Sequence, residues 1–303
     1  MKLNDILLSS RILSLRGDGN VEIADITFDS RTAGKGSLFV AVEGVHADGH
    51  DFIPQAVEAG AAAVLCRVLP QQLVPGVTYV QAENTDRALA EAAARFYGQP
   101  SRKLKLVGVT GTNGKTSVAT LLYRLFTNLG HKAGLISTIT YVVDGREMPS
   151  THTTPDALRL NRMMAEMVEA GCEYCFMEVS SHSIVQGRIW GLHFAGGIFT
   201  NITHDHLDYH KTFANYIRAK QGFFDMLPVS AFALYNKDDR NGEVMVQHTK
   251  AKKYSYALRA FSDFKCRILE SHFEGTELEM DGSEVWVRFI GRFNAYNLTA
   301  IYG

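Results

Sequence analysis

The chain is 303 residues long, enough for two domains each with its own core. Thirty-one basic residues stand against 32 acidic ones, so no excess of charge recruits nucleic acid or a membrane surface. Four scattered cysteines make no disulfide framework, no apolar run nears the roughly 20 residues that span a bilayer, and Lys2, Asp5 and Arg11 interrupt any secretory leader, which leaves a soluble cytoplasmic enzyme as the expected class.

Up to about residue 97, strand-like runs (residues 23–28, 37–42, 62–66 and 77–81) alternate with helical ones. The helix expected over 86–97 places Leu89, Ala92, Ala93 and Phe96 on one face. A polar, turn-rich stretch over 98–103 marks the boundary, giving domains 1–98 and 99–303. The second domain repeats strand and helix at short intervals, with strands expected at 104–109, 133–138, 174–179, 194–200 and 231–235. Such alternation predicts an α/β fold with a mainly parallel sheet and ligands at the carboxyl ends of its strands. Short alternating runs over 252–290 predict an antiparallel extension at one edge. The chain stops inside an expected helix that begins near Asn294, so a piece of a longer protein is the expectation.

Residues 108–117, GVTGTNGKTS, join the first strand of the second domain to an amphipathic helix. A glycine-rich turn of this kind holds phosphate: backbone N–H groups converge on the anion, Lys115 reaches the outer phosphates and Thr116 can ligate Mg²⁺. The strict eight-residue pattern has glycine where this chain has Val109, so the match is a variant. ATP use is expected. Other strand ends also carry polar chemistry: 150–156 (STHTTPD), 177–182 (MEVSSH) and 200–210 (TNITHDHLDYH). Glu178 and His206 could share a metal with the phosphates. His204, His206, His210, Asp205 and Asp208 could instead hold zinc, although their spacing fits neither a finger nor a helical protease site, or could simply cap their elements. Lys220 on the following helix reads as a surface lysine. Cys172 and Cys175 have redox spacing but no second pair, and read as structural.

These segments resemble the Mur ligase family. The likeness rests on 111–117, 153–155, 177–182, 186–188, 200–201, 205–210, NKDD at 236–239 and GRFNAYN at 291–297, with 28–31, 38–44 and 46–49 in the first domain. The resemblance implies a UDP-sugar-binding first domain and an ATP-binding second one. The implied activity is that of the member adding the third peptide residue: an ATP- and Mg²⁺-dependent ligase joining a diamino acid, meso-diaminopimelate or L-lysine, to UDP-MurNAc-L-Ala-D-Glu through an acyl phosphate. The member adding the following residue, or a binding module without turnover, are the alternatives. By the same resemblance Gly111, Thr112, Asn113, Gly114, Lys115, Thr116 and Ser117 would cradle ATP, with Asn294 and Asn297 near the adenine. Thr116, Glu178, His206 and Lys220 would hold Mg²⁺, Lys220 as a carbamate, and Lys115, Glu178, His206 and Lys220 would form the catalytic set. Phe28, Ser30, Val45, His46 and Ala47 would meet the UDP-sugar; His152, Thr153, Thr154, Ser180, Gln186 and Arg188 would meet the muramoyl-peptide. His152 replaces an expected asparagine. The family's third domain does not follow, so binding with weak or no ligation is expected, by a monomer that inserts in no membrane and binds no nucleic acid.

Overall fold

The computed structural model describes every residue except Ser9, Ser10, Val45, His46 and His206. The chain forms two compact units. The first comprises Met1–Pro100, Asp156–Ala165 and Gln186–Leu192; the second comprises Ser101–Pro155, Glu166–Val185 and His193–Gly303.

In the first unit the strands β1 (Ile12–Arg16), β2 (Asp25–Thr27), β3 (Ser37–Val40), β4 (Ala63–Cys66) and β5 (Thr78–Ala82) lie in the order β1-β5-β4-β3-β2. All neighbours are parallel except β1 and β5. Both faces are covered, which is why the strands read as continuous apolar runs. Leu38, Val40, Leu65 and Val80 pack with α1 (Leu3–Leu7) and α3 (Thr85–Phe96), while Phe39, Val64, Cys66 and Tyr79 pack with α2 (Ile53–Glu58). Asn84 caps α3 by accepting from the Arg87 N–H at 2.9 Å.

The second unit holds β6 (Lys105–Thr110), β7 (Ala133–Ile136), β8 (Thr140–Val143), β9 (Arg146–Pro149), β10 (Tyr174–Glu178), β11 (Gly196–Phe199), β12 (Phe232–Asn236), β13 (Lys252–Ala257), β14 (Phe264–Ser271), β15 (Thr276–Met280) and β16 (Ser283–Val287). Their order is β16-β15-β14-β13-β12-β11-β6-β10-β7-β8-β9. From β7 across to β14 every neighbouring pair is parallel. The antiparallel extension is therefore narrower than the sequence suggested: β13 pairs in parallel on both sides, and only β14, β15 and β16 run antiparallel. A second antiparallel extension, β7-β8-β9, forms the opposite edge.

Seven helices follow in the chain among the described residues: α4 (Lys115–Asn128), α5 (Ala157–Glu169, grouping with the first unit as far as Ala165), α6 (Ser181–Val185), α7 (Leu207–His210), α8 (Phe213–Asp225), α9 (Gly242–Met245) and α10 (Arg292–Tyr302). One face of the sheet, carrying Val107, Val109, Ile198 and Leu234, is covered by Val118, Ala119 and Leu122 of α4 and Ala300 of α10. On the opposite face α8 packs against β6 and β11. Gly108 and Gly197 are partners in the β6–β11 register, and a Cβ on either would strike the Phe223 ring of α8, at 2.6 and 2.8 Å. The paired glycines form a slot that lets α8 lie against the backbone.

Candidate active site

The phosphate loop joins β6 to α4. Gly114 stands at the helix N-cap with φ +87°, and a Cβ there would lie 2.5 Å from Asn297 Oδ1. Only glycine meets both demands without strain. The loop is fastened to the residues that follow β11. Asn201 accepts from the Asn113 N–H and donates to the Asn113 carbonyl, both at 3.0 Å. Thr200 donates to the same carbonyl at 2.7 Å, and the Thr112 N–H donates to the Asn201 carbonyl at 2.8 Å. The turn is thus fixed, and the N–H groups at the start of α4, from Gly114 to Ser117, face an anion.

Two lysines meet at this loop. Lys115 Nζ donates to the carbonyls of Gly111 (3.0 Å) and Thr112 (2.8 Å). Lys220 Nζ donates to the same Gly111 carbonyl at 2.8 Å, from a side chain only 1% exposed. Burial pulls the Lys220 amine well below its ordinary range, and the neighbouring Lys115 pulls it further, against Asp205. Burial also lowers Lys115, opposed by Glu178 and Asp205. The expectation of a surface position for Lys220, drawn from the residue taken alone, is overturned: it lies on the buried face of α8 with Tyr216, Phe223 and Phe224.

Glu178 ends β10 and is fully buried. Its Oε1 accepts from the Thr138 N–H at 2.7 Å, and its Oε2 lies 3.1 Å from the Thr138 hydroxyl. Each carboxylate oxygen keeps lone-pair capacity, so Glu178 with the half-buried Thr116 suits the oxygen chemistry of Mg²⁺. His206, the third expected ligand, lies outside the described residues, as do Val45 and His46. Zinc in the His-rich stretch finds no support among the described residues: His204 stacks on Phe213 and His210 Nε2 pairs with Ser181 Oγ at 2.9 Å. The single metal-capable trio found among the described residues is Glu43, Asp48 and His50. There the His50 ring is already spent, on Asp48 through Nδ1 and on the Arg67 and Val68 N–H groups through Nε2.

A cavity of about 560 Å³ opens beside the loop, lined by Asn113, Gly114, Asp238, Phe293, Tyr296 and Asn297 among others. Asn297 and Ser117 reach it. The Asn294 amide instead donates to the Ile290 carbonyl at 2.9 Å. The acidic pair in 236–239 looks like a ligand set but acts as scaffold. Asp238 accepts from the N–H groups of Leu258, Arg259 and Ala260 and from the Tyr296 hydroxyl, all at 2.9 Å. Burial opposes ionisation, yet these bonds hold its carboxyl below the ordinary range. Burial and the bond to Asp238 push the Tyr296 phenol up to about 12. Asp239 accepts from the Ile202 and Asn241 N–H groups.

The loop 150–154 approaches Glu178 in the same unit. Tyr141, fully buried on β8, accepts from the Thr151 and His152 N–H groups and donates to the His152 carbonyl at 2.6 Å. Thr154 is buried, donating to the Glu178 carbonyl and accepting from the Ser180 N–H, so it staples the loop to the strand end. Thr153 and Ser180 are half-buried and His152 is exposed. Gln186 and Arg188 group with the first unit. There Phe28 is 41% exposed, Ser30 donates to Gln55 Oε1 at 2.9 Å, and the Ala47 carbonyl accepts from the Gly44 N–H. Thr138, Tyr141, Asn201 and Asp238 were missed as individual residues by sequence reasoning, because their partners lie far along the chain.

The chain matches the model of the Mur ligase middle domain over residues 109–303 and that of the Mur ligase family catalytic domain over 22–97. A UDP-N-acetylmuramoyl-L-alanyl-D-glutamate--2,6-diaminopimelate ligase of Parabacteroides distasonis is 57% identical over 303 residues, and one of Bacteroides fragilis is 55% identical. Both alignments take in the whole chain but 62% of the relative, so this chain spans less than two thirds of their length. Among solved structures, a ligase of the same description superposes with a TM-score of 0.84 at 22% identity, over 99% of this chain and 62% of the other. A MurF ligase from Thermotoga maritima in complex with ADP gives 0.62 at 22% identity, over 93% and 62%. These two likenesses show the fold.

Proposed function

From the premise that this chain belongs to the Mur ligase family, we propose that it carries the nucleotide and acceptor sites of an ATP-dependent amide ligase. The acceptor is UDP-MurNAc-L-Ala-D-Glu and the added residue a diamino acid, 2,6-diaminopimelate being the one named for its relatives. The observation that carries this reading is the meeting of Lys115 and Lys220 at the Gly111 carbonyl. Two ammonium groups this close repel, and the buried Lys220 is the one driven toward the neutral amine. A neutral amine attacks CO₂: its lone pair forms the N–C bond, a C–O π pair moves to oxygen, and the nitrogen proton leaves. The carbamate so formed replaces repulsion of Lys115 by attraction.

Thr116, Glu178, His206 and carbamylated Lys220 would hold Mg²⁺, which when bound offsets phosphate charge. The N–H groups of residues 114–117, at the start of α4, would hold the phosphates, and Lys115 would face the charge spreading over the transferred phosphoryl. The D-glutamate carboxylate attacks the γ-phosphorus, ADP leaves with the P–O bonding pair, and an acyl phosphate forms. The incoming amine then displaces phosphate and loses a proton, giving the amide. Positioning and electrostatics do most of this, so no protein nucleophile is required. ATP use and four free cysteines suit a cytoplasmic protein, read here as a monomer. Among the described residues no helix is long and apolar enough to cross a membrane.

Calorimetric titration tests the reading. The chain is expected to bind UDP-MurNAc-L-Ala-D-Glu in preference to the corresponding UDP-muramoyl-tripeptide, and not to bind a folate. Preference for the tripeptide would move it to the next step of the pathway; binding of neither would overturn the acceptor assignment.

A further inference from the structure

Thr138 follows β7 in the turn to β8 and touches both halves of the site in the second unit. Its N–H fixes Glu178 Oε1. Its hydroxyl lies 3.1 Å from Glu178 Oε2 and 3.1 Å from Thr153 Oγ1. A hydroxyl has one proton, so it can serve only one of these acceptors at a time. Beside a bare carboxylate the proton goes to Glu178, the stronger acceptor. A cation bound to Glu178 draws charge from that carboxylate, and Thr153 becomes the better acceptor. Thr153 then keeps its own proton free to donate outward, to an anionic oxygen of a bound acceptor.

We propose that Thr138 is a positioning residue whose single hydroxyl proton couples occupation of the nucleotide–metal site at Glu178 to capture of an anionic acceptor at Thr153. The inference rests on the ligase reading above and adds to it a route between the two substrates. The loop that carries Thr153 is fastened on both sides of it, by Tyr141 and by Thr154, and the coupling needs only a proton to change partners, with no backbone movement. A linked pair of this kind is reciprocal: whatever one ligand does for the other is returned in full.

The test compares the unaltered chain with T138V and T138S. Valine keeps the branched shape and the N–H bond to Glu178 but has no hydroxyl; serine keeps the hydroxyl. UDP-MurNAc-L-Ala-D-Glu is titrated into each by calorimetry, with and without Mg²⁺ and a non-hydrolysable ATP analogue, and thermal unfolding checks that each variant folds. In the unaltered chain the nucleotide and metal are expected to tighten acceptor binding by about fivefold, the worth of one hydrogen bond. T138V is expected to bind each ligand alone but to lose that enhancement, and T138S to keep it. Equal enhancement in T138V, or none in the unaltered chain, overturns the coupling while the ligase reading stands. An unaltered chain that binds no acceptor overturns the ligase reading, and the coupling falls with it.

Discussion

Lys115 and Asp238 show how differently two charged residues serve the glycine-rich loop and the cavity beside it. Lys115 bonds the carbonyls of Gly111 and Thr112, and K115A is expected to weaken ATP binding by about tenfold or more in calorimetry, the scale of a charge-assisted bond to phosphate. Asp238 gathers three N–H groups and a phenol, and D238A is expected to cost roughly 1–3 kcal/mol in urea denaturation at neutral pH. Its folded carboxyl titrates below the ordinary value, so the unfolded chain takes up the proton first as pH falls. The stabilisation is therefore complete above about pH 4 and lost below it, and the gap between D238A and the unaltered chain should narrow there. Lys115 was legible from its motif alone. Lys220 was not: taken alone it reads as a surface lysine, and only the family likeness pointed elsewhere, although it shares a helix face with Tyr216, Phe223 and Phe224. Thr138 and Asp238 carry no local signal, because their meaning lies in atoms 15 to 58 residues away.

At the scale of elements, the slot formed by Gly108 and Gly197 sets how deeply α8 lies on the sheet. Filling it with G108V is expected to cost about 1–3 kcal/mol in chemical denaturation, as overpacking does. The same change should lift α8, one turn from Phe223 to Lys220, and weaken the bond from Lys220 to the Gly111 carbonyl. Unimpaired stability of G108V would show that the helix has room to spare. The central parallel strands were legible because a sheet covered on both faces writes continuous apolar runs into its sequence. The β8–β9 hairpin was missed although Asp144-Gly145, both with positive φ, is a strong turn signal between its strands. Strand β13 was assigned the wrong direction, since alternation marks a half-buried strand and is silent on which way its neighbour runs.

For the whole molecule, the chain leaves the first unit at Pro100 and returns to it twice, at Asp156–Ala165 and Gln186–Leu192. The returning segments supply contacts. Leu158 packs on the first unit's core, and Trp190 donates to Glu91 at 2.9 Å while Arg87 lies 4.0 Å over its ring. Residues 1–100 made alone should therefore unfold at lower denaturant than the same unit in the intact chain, read by the fluorescence of its tyrosines. An equal midpoint would show that the returning segments add nothing. The sequence placed a boundary at a turn-rich stretch but gave no sign of these returns, because each is a short piece of ordinary helix or loop. The returns also set an order of events on the ribosome. Residues 1–100 emerge well before Leu158 and Trp190 exist, so the first unit waits for its last contacts until β6 to β10 have been translated, and of the two units the one begun earlier is completed late.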